Sequence, residues 1–531
     1  MSHEESTRSE HVSTAAVSTV DPEPVAPEDT PSEDEGVLED EATGNDRYLG
    51  IGLFRFRFNL ANFRPGRDFS ERQFSIAEAA LLLMMAYIAS RGLGVIRQSI
   101  FNSIFGTSLA ANAYYAAFRL PDSLFNLIAG GALTHALVPI FVSYDKERGR
   151  MEAWRLTSLV FNILLVALTA ALLAAEFLAP AFVNHILVPG YDPAEQALTT
   201  SLTRIMLVQP LILGLGTVVT AVLSSKRQFL LPALAIAVYN IGLIGGLLVT
   251  LVFPSIGIYG PAYGVLAAAL FHLAVQIPGL LRQKARYFFA WNLKDPGLRQ
   301  VLRLLGPNVA SVAVASIAFI ADTAFVSFLK DKSSLAAQHN AYMVFALPVA
   351  LLAQAIAQSA LPQLAALATK GHYMRLRRMT FKVVGAALLL GLPVAILLCV
   401  MGRPVIHILF QHGAFKRNSA NLTDLALIAY AVGLPGAIAV GLLTSTFYAL
   451  KDALTPLLTN IFNLVAHIGL VFFLLTIFTG QNAIQAVPLA ASGSATAEAV
   501  LLGLLLYWRF RSKIAGELRR VNQLEQPEKV S

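Results

Sequence analysis

About a dozen long apolar stretches follow one another between Ile76 and Trp508, and they constrain the fold of this chain more than any other feature. A helix of roughly 20 apolar residues is long enough to cross the ~30 Å hydrocarbon layer of a membrane. The composition agrees, because 56% of the 531 residues are hydrophobic and 14% are charged, whereas about a quarter of the residues of soluble domains are charged. The pattern predicts an all-α polytopic membrane protein.

Charged or Pro/Gly-rich breaks divide the apolar stretches into twelve predicted transmembrane helices. The second and eighth are long for one crossing, and we expect them to extend beyond the bilayer. In chain order the predicted helices are 76–100, 112–143, 155–183, 199–224, 229–253, 259–281, 303–329, 337–368, 380–401, 421–449, 453–478 and 485–508.

Lys and Arg residues are distributed unevenly between the two sides of these predicted helices. Thirty of them precede the first helix, follow the last helix or lie in even-numbered connections, and five lie in odd-numbered connections. Short cytoplasmic loops carry the excess of Lys and Arg. The sequence therefore predicts that both termini are cytoplasmic, and this result requires an even number of spans.

The first 46 residues differ from the rest of the chain. They contain fourteen acidic residues against Arg8 alone, and they show no apolar period. A segment of this composition does not bury enough apolar surface to fold, and it lacks the basic start and apolar run of a secretory signal. The predicted organisation is an acidic disordered tail with a basic juxtamembrane segment (1–72), an N-terminal six-helix lobe (73–290), a C-terminal six-helix lobe (291–512) and a cytoplasmic tail (513–531).

The second and eighth predicted helices share a short sequence motif. Residues 118–124 read FRLPDSL, residues 345–351 read FALPVAL, and a stretch rich in small residues follows each. The offset is 227 residues, and six spans return the chain to the same side of the membrane. Such copies are parallel repeats related by an axis along the membrane normal. We therefore expect two pseudo-symmetric six-helix lobes around a central cavity suited to alternating access.

Two arginines and one aspartate are the most informative charges inside the predicted spans. Arg91 and Arg97 of the first helix lie about 120° apart around its axis and ~9 Å apart along it. Intramembrane charges face a cavity or a partner, and guanidinium groups match phosphate oxygens. We interpret both arginines as lining a cavity for an anionic substrate. Asp322 of the seventh helix is interpreted as a gate or proton-linked switch that pairs with one of them across the lobes.

The motifs that the sequence lacks disfavour an ATP-driven pump and a soluble hydrolase. It contains no Gly-x4-Gly-Lys-Ser/Thr loop, no His-Glu-x-x-His motif and no Gly-x-Ser-x-Gly elbow. Its one cysteine, Cys399, lies in an apolar stretch and offers neither a disulfide framework nor a thiolate metal site. We therefore predict a protein that is not an enzyme, with no catalytic residues, no metal site, no cofactor and no nucleic-acid partner.

The stretch from Ser90 to Ser143 is the most distinctive part of the sequence. Its segments are SRGLG at 90–94, Arg97, FG at 105–106, ANAY at 111–114, AFRLP at 117–121, GAL at 131–133 and VP at 138–139. Three later segments also contribute to the resemblance given next: LGP at 305–307, FQHGAF at 410–415 and YALKD at 448–452. Over about residues 76–512 the chain resembles the MurJ/MviN family of lipid II flippases, part of the multidrug/oligosaccharidyl-lipid/polysaccharide exporter superfamily.

The resemblance implies a two-lobed transporter of the bacterial cytoplasmic (inner) membrane. Its cargo would be an undecaprenyl-pyrophosphate-linked glycan, which moves from the inner to the outer leaflet among the membrane lipids. The family's two substrate-contacting arginines fall on Arg91 and Arg97, and we add Ser90 beside them as a candidate substrate-binding residue. The motif residues carried over from the family are Gly94, Pro121, Gly131 and Pro139.

This chain also departs from the family. The arginines expected in the second and eighth helices align with Phe125 and Met343, and two expected acidic residues align with Gly130 and Asn112. We assign Asn112, together with Asp322, to gating or coupling. Family members often have fourteen spans, whereas this sequence ends after twelve.

The prediction is a flippase for lipid-linked peptidoglycan precursor (lipid II), driven by an ion gradient or the membrane potential. Three alternatives stay open. The first is an exporter of another polyprenyl-linked glycan. The second is a drug/cation antiporter of the same superfamily, which clustered acidic residues in the cavity would favour. The third is a non-transporting scaffold whose acidic tail recruits cell-wall synthesis or division proteins.

Overall fold

The computed structural model describes residues 47–51, 54–58, 76–128 and 132–524. A short antiparallel hairpin precedes the helices: β1 (Arg47–Ile51) pairs with β2 (Phe54–Phe58), and Arg47 lies opposite Phe58. The sequence of β2, FRFRF, alternates with a period of two, which is typical of a strand. The sequence analysis did not predict this hairpin, because it considered only the basic character of the segment.

The first group of helices forms the N-lobe. Its helices, as far as the structure describes them, are α1 (Ile76–Phe105), α2 (Leu109–Ile128), α3 (Ala132–Glu147), α4 (Arg150–Phe182), α5 (Pro193–Met206), α6 (Val208–Ser225), α7 (Leu230–Val252), α8 (Tyr259–Ala274) and α9 (Ile277–Arg282). A π-helical turn, Val183–Leu187, extends α4. The start of α5 is set by Pro193 and by the Glu195 carboxylate, which accepts a hydrogen bond from the backbone N–H of Asp192 at 3.3 Å.

The second group of helices forms the C-lobe. Its described helices are α10 (Pro296–Ser327), α11 (Ser334–Val349), α12 (Ala355–Thr369), α13 (Tyr373–Phe410), α14 (Arg417–Val432), α15 (Leu434–Ala449), α16 (Leu454–Ile477) and α17 (Ala486–Leu524). Asp295 caps α10, because its carboxylate accepts hydrogen bonds from the backbone N–H groups of Gly297 and Leu298 at 2.8 and 3.1 Å. This cap fixes the point at which the chain enters the second lobe.

Each of the twelve predicted spans falls on one helix or on consecutive helices of the structure. Among the described residues, nine helices are long and apolar enough to cross a membrane, and the pair α14–α15, bent by 47°, is a tenth candidate. The other two predicted spans are α1 and the pair α2–α3. The second and eighth predicted spans are thus each two helices in sequence, and a π-helical turn, Ala350–Gln354, separates α11 from α12.

The bundle has two ends that differ in charge. We call the end with the Lys/Arg-rich connections the basic end and the other the opposite end. At the opposite end a buried cluster joins the lobes, with Phe101 and Tyr115 on one side and Leu335 and Ala336 on the other. At the basic end α10 packs its first turns against α3, α4 and α6. The two lobes are therefore in contact at both ends of the bundle.

Candidate functional site

A cavity of about 190 Å³ lies between α1, α2, α7 and α8 of the N-lobe and α11 of the C-lobe. Its walls combine aromatic rings with a few charged and polar groups. The lining residues are Arg97, Gln98, Phe101, Tyr114, Tyr115, Phe118, Arg119, Asp122, Leu243, Leu247, Pro261 and His339. Apolar walls with a few convergent polar groups are typical of a ligand-binding site.

Arg97 is the most unusual of these lining residues. Its guanidinium forms no hydrogen bond or ion pair with any residue in the part of the chain that the structure describes, although it is only half-exposed. A charged side chain within a transmembrane helix is costly unless it meets water, a partner or a ligand. The cavity therefore offers an uncompensated positive charge to an anionic group.

Arg91, Ser90 and Gly94 have different surroundings from Arg97. Arg91 is exposed and is not among the residues that line the cavity. The Ser90 hydroxyl accepts a hydrogen bond from the amide of Asn240 at 2.9 Å. A Cβ atom at Gly94 would lie 4.0 Å from the same Asn240 side chain. Ser90 and Gly94 thus contribute to the contact between α1 and α7, and their role towards a substrate stays a prediction.

Arg119 and Asp122 were not among the predicted site residues. Both line the cavity from α2, where they are three residues apart and therefore on one face of the helix. Arg119 lies inside the FRLPDSL motif, which indicated a duplication, and inside the AFRLP segment, which contributes to the family resemblance. Its charge inside a predicted span was the signal that could have identified it.

Neutral amides and backbone groups join the lobes at the opposite end. The Asn102 side chain donates to Asn340 Oδ1 at 2.8 Å, and Gln98 Nε2 donates to the same oxygen at 2.9 Å. We call Gln98, Asn102 and Asn340 the amide cluster. Next to it, Tyr115 of α2 stacks on His339 of α11 with ring centroids 4.0 Å apart. These contacts close the cavity towards the opposite end.

Asn112 is buried between the lobes, next to the amide cluster. Its Oδ1 accepts a hydrogen bond from the backbone N–H of Ala336 at 2.7 Å, and its Nδ2 donates to the carbonyl of Lys332. Lys332 in turn lies 3.3 Å from the Glu195 carboxylate of the N-lobe. The predicted gating residue is therefore placed at an interface between the two lobes, although its role in gating stays a prediction.

Asp322 has a partner other than the one we expected. Its Oδ1 lies 2.5 Å from His467 Nε2 of α16, so the pair lies within the C-lobe and does not bridge to Arg91 or Arg97. The reason is geometric, because α10 packs directly against α16. Further along α16, Asn463 donates to the buried Glu498 carboxylate at 2.8 Å. The C-lobe thus contains its own buried polar network.

The FG segment at 105–106 and the FQHGAF segment at 410–415, which begin 305 residues apart in sequence, meet at the opposite end. The backbone N–H of Ala414 donates to the carbonyl of Ser103 at 2.8 Å. Gly106 and Gly413 both have positive φ, and a Cβ at Gly413 would lie 2.3 Å from the Ser103 carbonyl oxygen. Only glycine permits this conformation and this approach without strain.

The remaining motif residues have structural positions. Pro121 is buried inside α2 and Pro139 is exposed inside α3, whereas Gly131 lies outside the described residues. Within the described ranges, no three His, Cys, Asp or Glu side chains are grouped so that they could hold a metal ion.

Comparisons with known proteins identify the family. Its sequence profile, described as "Lipid II flippase MurJ", matches residues 101–522. A probable lipid II flippase MurJ of Rhizobium meliloti is 28% identical over 436 residues, which cover 80% of this chain and 79% of that protein. The lipid II flippase MurJ of Burkholderia cenocepacia is 29% identical over 387 residues, covering 71% and 74% of the two chains.

Solved structures share the fold. A lipid II flippase MurJ in an inward closed conformation superposes with a TM-score of 0.69 at 22% identity, covering 85% of this chain and 94% of that one. An inward-facing multidrug resistance MATE family transporter of the MOP superfamily also gives 0.69, at 14% identity, covering 82% and 99%. Because the profile match extends over most of its length, the chain belongs to the lipid II flippase MurJ family.

Proposed function

We propose that the protein translocates the lipid-linked peptidoglycan precursor, lipid II, from the inner to the outer leaflet of the bacterial cytoplasmic membrane by alternating access. The observation that carries this proposal is Arg97, which presents an unpaired positive charge to a cavity between the lobes. Relatives across the family carry the name lipid II flippase MurJ. The cargo is an undecaprenyl-pyrophosphate-linked glycan, whose pyrophosphate is anionic and whose chain is soluble in the membrane.

The direction of transport follows from the charge of the two ends. We take the basic end and both termini as cytoplasmic, because Lys and Arg collect on that side. The contacts at the opposite end then form a periplasmic barrier. Arg91 lies nearer the basic end of α1 and is exposed, so it meets the headgroup first, and Arg97 holds it deeper in the cavity. Residues 73–290 and 291–512 are the proposed lobes that rock about this site.

An antiporter of drug cations is the second candidate, because a MATE transporter shares the fold equally well. The charges that line the cavity argue against a drug/cation antiporter. Its ionisable lining includes Arg97 and Arg119 against Asp122, and a cationic substrate would be repelled by two guanidinium groups. The charge of the site therefore favours an anionic cargo.

The proposed function is tested by rescue of bacterial cells that are depleted of their own lipid II flippase. The wild-type chain is expected to restore growth and to restore lipid II at the outer surface of the membrane. A chain that reaches the membrane at normal levels and restores neither would contradict the proposal.

Deleting residues 1–46 separates the flippase from the scaffold alternative. A flippase is expected to keep its rescue activity without the tail, since the cavity is built from residues 97–339. A scaffold that recruits cell-wall synthesis or division proteins through its acidic segment would lose activity. The measurement is growth and surface lipid II in the same depleted cells.

We also propose that Asp322 couples transport to an ion gradient through its contact with His467. Asp322→Asn is expected to slow flipping about tenfold, the scale of a typical coupling energy, and to flatten its dependence on pH and Na⁺. Binding of a prenyl pyrophosphate should not change, because Asp322 does not line the cavity. His467→Gln is the matched variant on the other side of the contact.

Transport of labelled lipid II into proteoliposomes under imposed pH or Na⁺ gradients measures this coupling. If Asp322→Asn flips lipid II at the wild-type rate with the wild-type ion dependence, the coupling role is refuted.

A further inference from the structure

Arg119 lines the cavity, but the proposed function assigns it no contact with the cargo. Its side chain lines the same cavity as Arg97 but crosses to the other lobe. Its Nε–H donates to Thr323 Oγ1 of α10 at 3.1 Å, and its guanidinium carbon lies 5.2 Å from the centre of the Phe319 ring, also on α10. Arg119 is therefore held by a hydrogen bond at one nitrogen and by a cation–π contact with the Phe319 ring.

Thr323 is well suited to fix this orientation. It is fully buried, and its hydroxyl donates to the Phe319 carbonyl at 2.9 Å. A hydroxyl has one proton and two lone pairs, so with its proton engaged the oxygen remains an acceptor for Nε–H of Arg119. The guanidinium cannot turn without losing both this hydrogen bond and its contact with Phe319.

The rest of the Arg119 guanidinium is available to a ligand. Within the part of the chain that the structure describes, Arg119 makes one hydrogen bond, the Nε contact, and no ion pair within 4 Å. The Nη1 and Nη2 groups form an end-on fork of N–H donors, which matches two oxygens of one phosphoryl group. Lysine offers a point charge and no such fork.

We propose that Arg119 and Arg97 together form the pyrophosphate site of the cavity, one guanidinium for each phosphoryl group. This inference rests on the proposed function and assigns a binding role to a residue outside the two first-helix arginines. Two cavity cations are then present, even though the positions aligned with family arginines hold Phe125 and Met343. Arg91 is not the second cation of this site, because it lies outside the lining.

Asp122 adds specificity to the pair. It lines the same cavity one turn beyond Arg119, so its carboxylate repels any anion there, and an anion that engages both guanidinium groups gains the most attraction to offset this repulsion. A monophosphate engages one guanidinium at a time and meets this repulsion, whereas a pyrophosphate engages both. The site should therefore prefer prenyl pyrophosphates over prenyl monophosphates.

The test measures binding of two probes, farnesyl pyrophosphate and farnesyl monophosphate, to the full-length protein in nanodiscs. Arg119→Gln is expected to weaken binding of the pyrophosphate about tenfold or more, the usual scale for lost hydrogen bonds to a charged group. Monophosphate binding should change less, because Arg97 still holds one phosphoryl group. Arg119→Lys, which keeps the charge and loses the fork, should fall between the wild type and Arg119→Gln.

Two further variants separate positioning and general charge from binding. Thr323→Val keeps Arg119 but removes the hydroxyl that accepts its Nε–H, so the preference for pyrophosphate over monophosphate should fall. Adding Arg119→Lys to the Thr323→Val variant should reduce this preference little further. Arg403→Gln removes an exposed arginine outside the cavity, whose Nη2 donates to Asn421, and should leave both affinities unchanged.

The inference is overturned if Arg119→Gln binds both probes as the wild type does, or if the wild type shows no preference for the pyrophosphate. The proposed function fails separately, when the wild-type chain does not rescue depleted cells. Rescue together with unchanged binding by Arg119→Gln would thus refute the role of Arg119 alone.

Discussion

Replacing Arg97 with alanine is expected to lower the rate of lipid II flipping about a hundredfold or more in proteoliposomes. A phosphate group held by a guanidinium gains two charge-assisted hydrogen bonds, and their loss amounts to roughly 3 kcal/mol, or about two orders of magnitude. Arg97 is the residue for which this loss is largest, because it lines the cavity and has no protein partner among the described residues.

The same absence of a partner predicts what happens to stability. Removing Arg97 leaves no hydrogen-bonding group of a described residue unsatisfied, so the thermal unfolding midpoint of Arg97→Ala should equal or exceed that of the wild type. Loss of transport without loss of stability is the signature of a ligand-binding charge. Arg91→Ala should lose less activity, and Arg403→Ala should lose none. Wild-type flipping by Arg97→Ala would refute the site.

Replacing Gly413 with alanine is expected to stop the transport cycle by preventing closure at the opposite end. A Cβ there would lie 2.3 Å from the Ser103 carbonyl oxygen, and both sides of this contact are backbone, so no side chain can move away. The lobes would have to separate by about an ångström or more at this point. We expect flipping to fall at least about tenfold and amide hydrogens of residues 98–106 to exchange faster.

Gly371 is the matched control for this substitution. It also has a positive φ, +74° against +59° for Gly413, but a Cβ at Gly371 would meet no atom within 4 Å. Gly371→Ala therefore carries the same kind of backbone strain without a contact between the lobes. Equal losses of flipping in the two variants would mean that strain, and not closure, explains the effect.

Much of the fold could be predicted from the sequence, because apolar length and helix breaks are local properties. The twelve predicted spans all fall on helices, and even the division of α11 from α12 follows the Leu-Pro phrase at 347–348. The hairpin at 47–58 could not be predicted by the same means, since a search for apolar runs passes over a short strand in which aromatic residues alternate with arginine.

The candidate site was predictable only in part. A charge inside a span identifies Arg97, but the same rule points equally to Arg91, and only the rotation of α1 decides which one faces the cavity. The partner of Asp322 is 145 residues away in sequence, and no spacing reveals which of several polar residues a neighbouring helix will present. The role of Arg119 depends on Thr323 and Phe319 of α10, which is likewise a matter of packing between lobes.

The amide cluster has a consequence for how easily the lobes can part at the opposite end. Gln98, Asn102 and Asn340 are neutral, and an amide that leaves another amide for water loses only about 1 kcal/mol. Each half of the parted cluster would be hydrated at once, so the contribution of these amides to closure barely changes with ionic strength, whereas that of the Lys332–Glu195 ion pair does. Thermal motion is then sufficient to part these three side chains in every cycle.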